Sequence, residues 1–183
     1  CIVESTSENP LREKFFDNLD KKSLRKNIEE LNNFQYDYLC LNFYTSLNYG
    51  AVLTAYASQE LLVNLGYTSA HIDYRYPHIT DDKYNNSFTD KFVQKYLNHT
   101  QRCRNIWNFN EVAKMARRGF IVGSDQVFRD DYIHDTYFYY LLGFAPTDKQ
   151  RIALSASFGK DSFDLPQTSG LFDCFDFLDV LVL

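Results

Sequence analysis

The chain has 183 residues, 45% hydrophobic and 23% charged, a balance that can bury a sizeable core and excludes wholesale disorder. Its net charge of −5 argues against a general nucleic-acid or anionic-membrane surface, while leaving room for a local cationic pocket. There are 16 Phe and 14 Tyr against a single Trp; Phe builds core, and Tyr suits polar clefts because one end of it hydrogen-bonds.

Residues 1–35 are polar and charge-rich. Pro10 opens a predicted helix that runs to Leu19, and Ser23 is a candidate N-cap for a second helix ending at Leu31. This stretch reads as a charged helical lead-in or inter-domain linker ahead of a domain spanning 36–183. From Tyr36 the character changes: YDYLCLNFY (36–44) is aromatic and apolar, a strand pattern. Thr45–Gly50 follows as a loop, and residues 51–65 then carry helical spacing. Val52, Ala55, Tyr56, Gln59, Leu62 and Leu65 make a stripe that is apolar except at Gln59. Gly66 stands where a helix C′ residue belongs, since glycine takes the left-handed conformation at little cost. TSAHIDYRY (68–76) is a second predicted strand, closed by Pro77. Strand, helix, strand in that order is a βαβ unit, which implies a parallel pair.

The middle, 78–118, is polar, with helical pieces at Thr89–Leu97 and Glu111–Arg118. Phe120–Val122 is a third strand. Phe138–Phe144 and Arg151–Ser157 read as further strands on either side of the turn Ala145–Asp148, and Phe177–Leu183 as another. The alternation predicts an α/β domain with an open, Rossmann-like, mainly parallel sheet.

Cys1, Cys40, Cys103 and Cys174 are scattered without a C-x-x-C pair, so they read as free thiols, and a reducing cytoplasm fits. The sequons at Asn85 and Asn98 are then chance triplets. No apolar run approaches membrane-spanning length and no signal-peptide pattern opens the chain; a cytoplasmic location follows, compatible with a peripheral position at the membrane. His71, His78, His99 and His134 have no metal-like spacing, so no metal site is expected. The basic run Lys114–Arg118 reads as a solvated helix face. The chain opens on Cys1 and closes on the apolar run Val180–Leu183, and both ends read as cut from something longer.

In open α/β sheets, ligands bind outside the carboxyl ends of the strands. Three loops leave such ends here. Thr45–Gly50 leads into a helix whose free N–H groups favour an anion or a ligand oxygen. Phe120–Val122 runs straight into Gly123-Ser124-Asp125-Gln126, a hydroxyl, a carboxylate and an amide in succession. The third loop carries Ser155, Ser157 and Gly159. The candidate cleft residues are therefore Asn48, Tyr49, Gly50, Ser124, Asp125 and Gln126. Each also fits plain turn chemistry: Asn48-Tyr49-Gly50 as a helix cap, Asp125 as a cap or as the partner of Arg129. Neither a G-x-G-x-x-G nor a Walker loop is present, so dinucleotide or triphosphate binding has little support.

Three blocks in series, NYGAVLTAYASQELLVNLGYTSAHIDY (48–74), FIVGSDQVF (120–128) and RIALSASFG (151–159), together with Phe175-Asp176, resemble the N-terminal half of the polysaccharide pyruvyl transferase family. The resemblance covers residues 38–180 and leaves the first 35 unexplained. It implies one half of a two-domain, GT-B-like arrangement with a cleft between two Rossmann-like halves. It also implies transfer of a pyruvyl group from phosphoenolpyruvate to a sugar of a cell-surface polysaccharide precursor, as a ketal, with no further cofactor. Such chemistry needs cations for the phosphate and carboxylate plus a general acid/base. In the family, the arginine and histidine residues associated with phosphoenolpyruvate lie mainly in the second half. The Arg-Glu pair that commonly follows the family's Phe-Asp is replaced here by Leu181-Val182. No catalytic residue is therefore assigned, and the expected partners are a sugar or glycan-precursor acceptor and a C-terminal half that this chain lacks. Two other readings stand beside this one: a sugar-nucleotide glycosyltransferase of GT-B-like architecture, and a non-catalytic binding module of a larger polypeptide.

Overall fold

A computed structural model of the chain describes residues 34–75, 84–133, 136–160 and 175–182. The two predicted helices before Leu31, together with Cys1, Cys174, His78 and His134, lie outside the described residues. Among the described residues six strands form one sheet in the order β3-β2-β1-β4-β5-β6: β1 (Tyr36–Leu41), β2 (Ser69–Tyr74), β3 (His99–Cys103), β4 (Ala116–Gly123), β5 (Gln150–Leu154) and β6 (Val180–Val182). Every pairing is parallel, with Leu39 opposite Ala70 on one side and opposite Phe120 on the other. The order reverses at β1, which places the sheet's switch point between β1 and β4. The α/β, Rossmann-like expectation holds, and the sheet is wholly parallel.

Both faces of this sheet are covered, which is why β1 and β4 read as near-continuous apolar runs. One face, with Leu39, Leu41, Ile72, Phe120, Val122 and Ala153, packs on Phe109 and Val112 of α3 (Ile106–Ala113). The other, with Tyr38, Cys40 and Ile121, packs on Leu62 of α1 (Tyr49–Asn64). Val52 and Ala55 of α1 meet Val93 of α2 (Phe88–Tyr96).

Helix α1 behaves largely as its spacing predicts. Gln59, the odd polar member of the stripe, is buried and fully engaged: its Nε2 donates to the Tyr96 carbonyl at 3.0 Å, and its Oε1 accepts from Asn98 N at 2.8 Å. Leu65 belongs elsewhere, since it is the C-cap and 62% exposed. Gly66 has φ +82, and Gly66 N and Tyr67 N donate back to the Val63 and Leu62 carbonyls. That is a Schellman motif, as glycine at this place predicts.

One strand is unforeseen and two expectations fail, each for an identifiable reason. Strand β3 (HTQRC) is too polar to announce itself; among the described residues it pairs only with β2, and it buries only Thr100 and Cys103 of its own residues. The helix expected over Glu111–Arg118 starts earlier, at Ile106, and has ended by Ala113, with Asn105 Oδ1 capping it from Asn108 N at 3.1 Å. Phe138–Phe144 is not a strand: a turn of helix, α5 (Tyr137–Tyr140), runs into turns that bury Leu141 and Leu142. A short, wholly apolar run does not separate strand from buried helix by pattern alone. A further short helix, α4, spans Asp130–Ile133.

The basic run is therefore strand rather than helix, and it has a partner. Asp37, 4% exposed at the amino edge of β1, accepts from Arg117 Nε at 2.9 Å, from Arg117 Nη2 and from Arg118 Nε at 3.1 Å. Its other oxygen accepts from Thr68 N at 3.0 Å and Thr68 Oγ1 at 2.9 Å. Burial alone pushes this carboxyl up; the Thr68 backbone, Arg117, the Thr68 hydroxyl and Arg118 together outweigh it and hold the group well below its ordinary 3.8. The stabilisation is therefore complete above the ordinary carboxylate value and is lost as pH falls through the lowered one. Asp37→Asn puts an amide N–H2 against donors and leaves two half-exposed arginines to water, so urea denaturation at neutral pH should show a loss of about 2–3 kcal/mol.

Candidate functional site

Because all six strands are parallel, their carboxyl ends meet at one edge of the sheet, and the loops after β1, β4 and β5 share it. Between β1 and β4 lies a cleft of about 460 Å³. Its polar wall comes from Thr45, Ser46, Asn48, Asp125 and Gln126, and its aromatic wall from Phe43, Tyr132 and Tyr140. Phe43 holds the aromatic side together, with ring centroids 4.9 Å from Tyr140 and 5.9 Å, edge to face, from Tyr132.

The polar wall is stiff. Asn42 Nδ2 reaches from the end of β1 to the Gly123 carbonyl at 3.4 Å. Ser157 N donates to the Asp125 carbonyl at 3.0 Å and Phe128 N to the Ser157 carbonyl at 3.1 Å, so the loops after β4 and β5 are laced together. Gly159, at φ +66, lies flat on the Gln126 side chain; a Cβ there would stand 2.3 Å from it. Phe175 closes the back of both loops, 5.3 Å from Phe128 and 5.8 Å from Phe158 between ring centroids.

Three of the six candidate residues line the cleft. Asn48 does so as the N-cap of α1, its Oδ1 accepting from Gly50 N at 2.8 Å, which leaves its amide nitrogen for a ligand. Asp125 accepts from Gln126 N at 2.7 Å through Oδ1, and its Oδ2 makes no hydrogen bond among the described residues. The Asp125–Arg129 pair considered from sequence does not form: Arg129 donates to Gln126 Oε1 at 3.1 Å and to Asp131 Oδ2 at 3.2 Å, and lies over the Tyr132 ring at 4.9 Å. Gln126 thus presents its amide to the cleft with its oxygen already engaged. Tyr49, Gly50 and Ser124 do not line the cleft; Tyr49 is 62% exposed on the first turn of α1.

Tyr132 and Tyr140 were invisible to the sequence argument. The first sits six residues past the GSDQ loop on α4, and the second lies inside a run whose pattern reads as strand. The abundance of tyrosine was the one available signal.

Lys160 pairs with Asp130 and, at 3.4 Å, with Asp131, so Arg129 and Lys160, two cations near the cleft among the described residues, are held by carboxylates. Cys40 and Cys103 are buried free thiols, each pushed up to about 12 by burial, and take no part. Among the described residues no group of three His, Cys, Asp or Glu is arranged to hold a metal ion, and no helix is long and apolar enough to cross a membrane.

No curated protein and no solved structure matches the chain significantly. The sequence model of the polysaccharide pyruvyl transferase family does, over residues 48–180. That span starts at the cap of α1, takes in the loops after β4 and β5 that wall the cleft, and ends at β6. A match over that much of the sheet and its carboxyl edge places the chain in the polysaccharide pyruvyl transferase family.

Proposed function

We propose that the cleft between β1 and β4 receives the sugar acceptor in transfer of a pyruvyl group from phosphoenolpyruvate to a polysaccharide precursor. The observation that carries this reading is the composition of the cleft, an aromatic wall facing a wall of neutral hydrogen-bonding groups and one carboxylate oxygen, Asp125 Oδ2. The apolar C–H face of a sugar ring packs on aromatic rings, and its hydroxyls donate to a carboxylate and accept from amides. A doubly charged phosphate ester finds little here, because Arg129 and Lys160 are already held by Asp131 and Asp130. The cations that grip the donor's phosphate and carboxylate come, on this reading, from outside the cleft wall described.

Protonation of the methylene carbon of phosphoenolpyruvate leaves an oxocarbenium centre; one sugar hydroxyl adds to it and loses its proton. A second hydroxyl of the same sugar then displaces the phosphate, which leaves as inorganic phosphate carrying that hydroxyl's proton, and the ketal closes. On this reading Asp125 Oδ2 accepts from one of those hydroxyls and so orients it.

Asp125→Asn keeps the Oδ1 acceptor for Gln126 N and removes the charge. Turnover with phosphoenolpyruvate and a glycan acceptor, read as phosphate release together with the ketal's mass, should fall roughly tenfold to a hundredfold, as for loss of a charge-assisted hydrogen bond. The melting temperature should not move. Glycosyl transfer from a nucleotide sugar, or glycan binding without any phosphate release, would replace this reading with one of its two rivals.

A further inference from the structure

Gln126, Arg129 and Tyr132 follow one another at three-residue spacing, and the turn that leads into α4 gathers them. Arg129 N donates to the Gln126 carbonyl at 3.1 Å, and the Arg129 carbonyl accepts from Tyr132 N at 2.9 Å and Ile133 N at 3.1 Å. The arginine side chain then joins the two walls of the cleft without lining it. Its Nη1 donates to Gln126 Oε1 on the polar wall at 3.1 Å, and its guanidinium carbon stands 4.9 Å from the centre of the Tyr132 ring on the aromatic wall. Its Nε donates to Asp131 Oδ2 at 3.2 Å, so the cation has a carboxylate outside the cleft.

The consequence for Gln126 is one of orientation. A primary amide carries an acceptor at one end and two donors at the other, and its two orientations fill the same space. A guanidinium has donors only, so Gln126 turned over would set N–H against N–H. Gly159 closes a further side, since a Cβ there would stand 2.3 Å from Gln126 Cδ and 2.6 Å from its Oε1. Gln126 Oε1 is thereby spent inside the protein, while its Nε2 makes no hydrogen bond among the described residues. The adjacent Asp125 keeps one acceptor, Oδ2. Two neighbouring residues so present opposite halves of a hydrogen bond to whatever enters the cleft.

We propose that Arg129 is a positioning residue for the acceptor sugar. It turns Gln126 so that the cleft offers donors beside the Asp125 acceptor, and it holds the Tyr132 ring on which the sugar packs. The pair selects a hydroxyl that donates to Asp125 next to an oxygen that accepts from Gln126. This role rests on the acceptor reading above.

The test is an amide-shift titration of the isotope-labelled full chain with methyl β-glucoside, methyl β-galactoside and methyl α-mannoside and, separately, with phosphoenolpyruvate. Arg129→Met keeps the length of the side chain and loses its fork. It should weaken glycoside binding by about threefold to tenfold, the worth of one neutral hydrogen bond, and leave the response to phosphoenolpyruvate as it was. In the same spectra the Gln126 side-chain N–H2 should turn from rigid to mobile in its relaxation. Arg129→Lys should behave like Arg129→Met, because an ammonium keeps the charge but cannot span Gln126, Asp131 and the Tyr132 ring with one planar group. Gln126→Met should lose the same factor, and adding Arg129→Met to it should cost less than about twofold more, since both act through one amide. Asp131→Asn removes the arginine's exposed partner and not its bond to Gln126, so affinities should stay within about twofold.

Recovery in Arg129→Lys, or loss of a phosphoenolpyruvate response in Arg129→Met, would make the arginine an anion-binding charge and overturn the role. A Gln126 amide that stays rigid without the arginine overturns it too, as do equal losses in Asp131→Asn. If no glycoside moves Asp125 in the unaltered chain, the acceptor reading falls and this role falls with it. If glycosides move Asp125 there and bind Arg129→Met equally well, the role alone falls.

Discussion

Gly123→Ala should cost the fold about 3–4 kcal/mol, combining a left-handed backbone with an immovable collision. Gly123 ends β4 at φ +116, and a Cβ built on it stands 2.1 Å from the Leu154 carbonyl oxygen of the neighbouring strand. That oxygen belongs to the sheet backbone and cannot swing aside as a side-chain tip does. Either β4 and β5 part at their carboxyl ends, or the GSDQ loop abandons its course, and both routes displace Asp125. Gly66→Ala is the control, since Gly66 has φ +82 but nothing within 4 Å of the added carbon. It should show the conformational cost alone, about 1–2 kcal/mol. Chemical denaturation of the two variants separates the two contributions; equal losses would mean that the carbonyl contact is not restrictive.

Acid sensitivity should trace to His71. Its side chain is fully buried in β2 beside the Tyr44 ring, with centroids 5.3 Å apart, and neither ring nitrogen makes a well-formed hydrogen bond. Burial lowers it from 6.5 to about 4; the Ala55 carbonyl facing the ring pulls the other way, and nearby His99 lowers it further. Between those values the unfolded chain takes up a proton that the folded chain refuses. Stability is thus full above pH 6.5, falls as pH drops, and levels off near 4, for a total of roughly 3 kcal/mol. This window lies above the one in which Asp37 titrates. His71→Leu, close in volume, should remove most of the difference between neutral pH and about pH 4.5, roughly 2–3 kcal/mol, in paired urea melts. An unchanged pH dependence would place the proton uptake elsewhere.

What the sequence disclosed, and what it withheld, divides along physical lines. The βαβ unit was legible because its signals were local: a buried strand, a helix with one polar intruder, and a glycine at the C′ position. Gln59 looked like a flaw in the stripe and proved to be the link that fastens α1 to the segment between α2 and β3. Strand β3 was hidden because edge pairing needs backbone rather than apolar side chains, and HTQRC offers little else. Arg117 and Arg118 misled for a related reason: a charged pair suggests a solvated helix, but the carboxylate that turns it into a strand is 80 residues away, at Asp37. Asn48 and Asp125 were legible as loop residues at strand ends. That Asn48 has one oxygen engaged as a cap, and that Asp125 keeps one free, depends on geometry that spacing does not encode. Tyr132 and Tyr140 enter the cleft through a turn of helix that a purely apolar run conceals.

The lacing of the loops after β4 and β5 has a thermodynamic corollary. With Ser157 N on the Asp125 carbonyl, Phe128 N on the Ser157 carbonyl and Gly159 pressed on Gln126, this wall gives up its freedom when the chain folds rather than when a ligand arrives. Weakly interacting neutral molecules bind poorly where they must first order the surface that receives them, so a rigid wall suits them. Calorimetry of saccharide binding should therefore show little of the entropic opposition that accompanies loop ordering, and the amides of Ser157 and Phe128 should exchange with solvent at the same rate whether or not sugar is present.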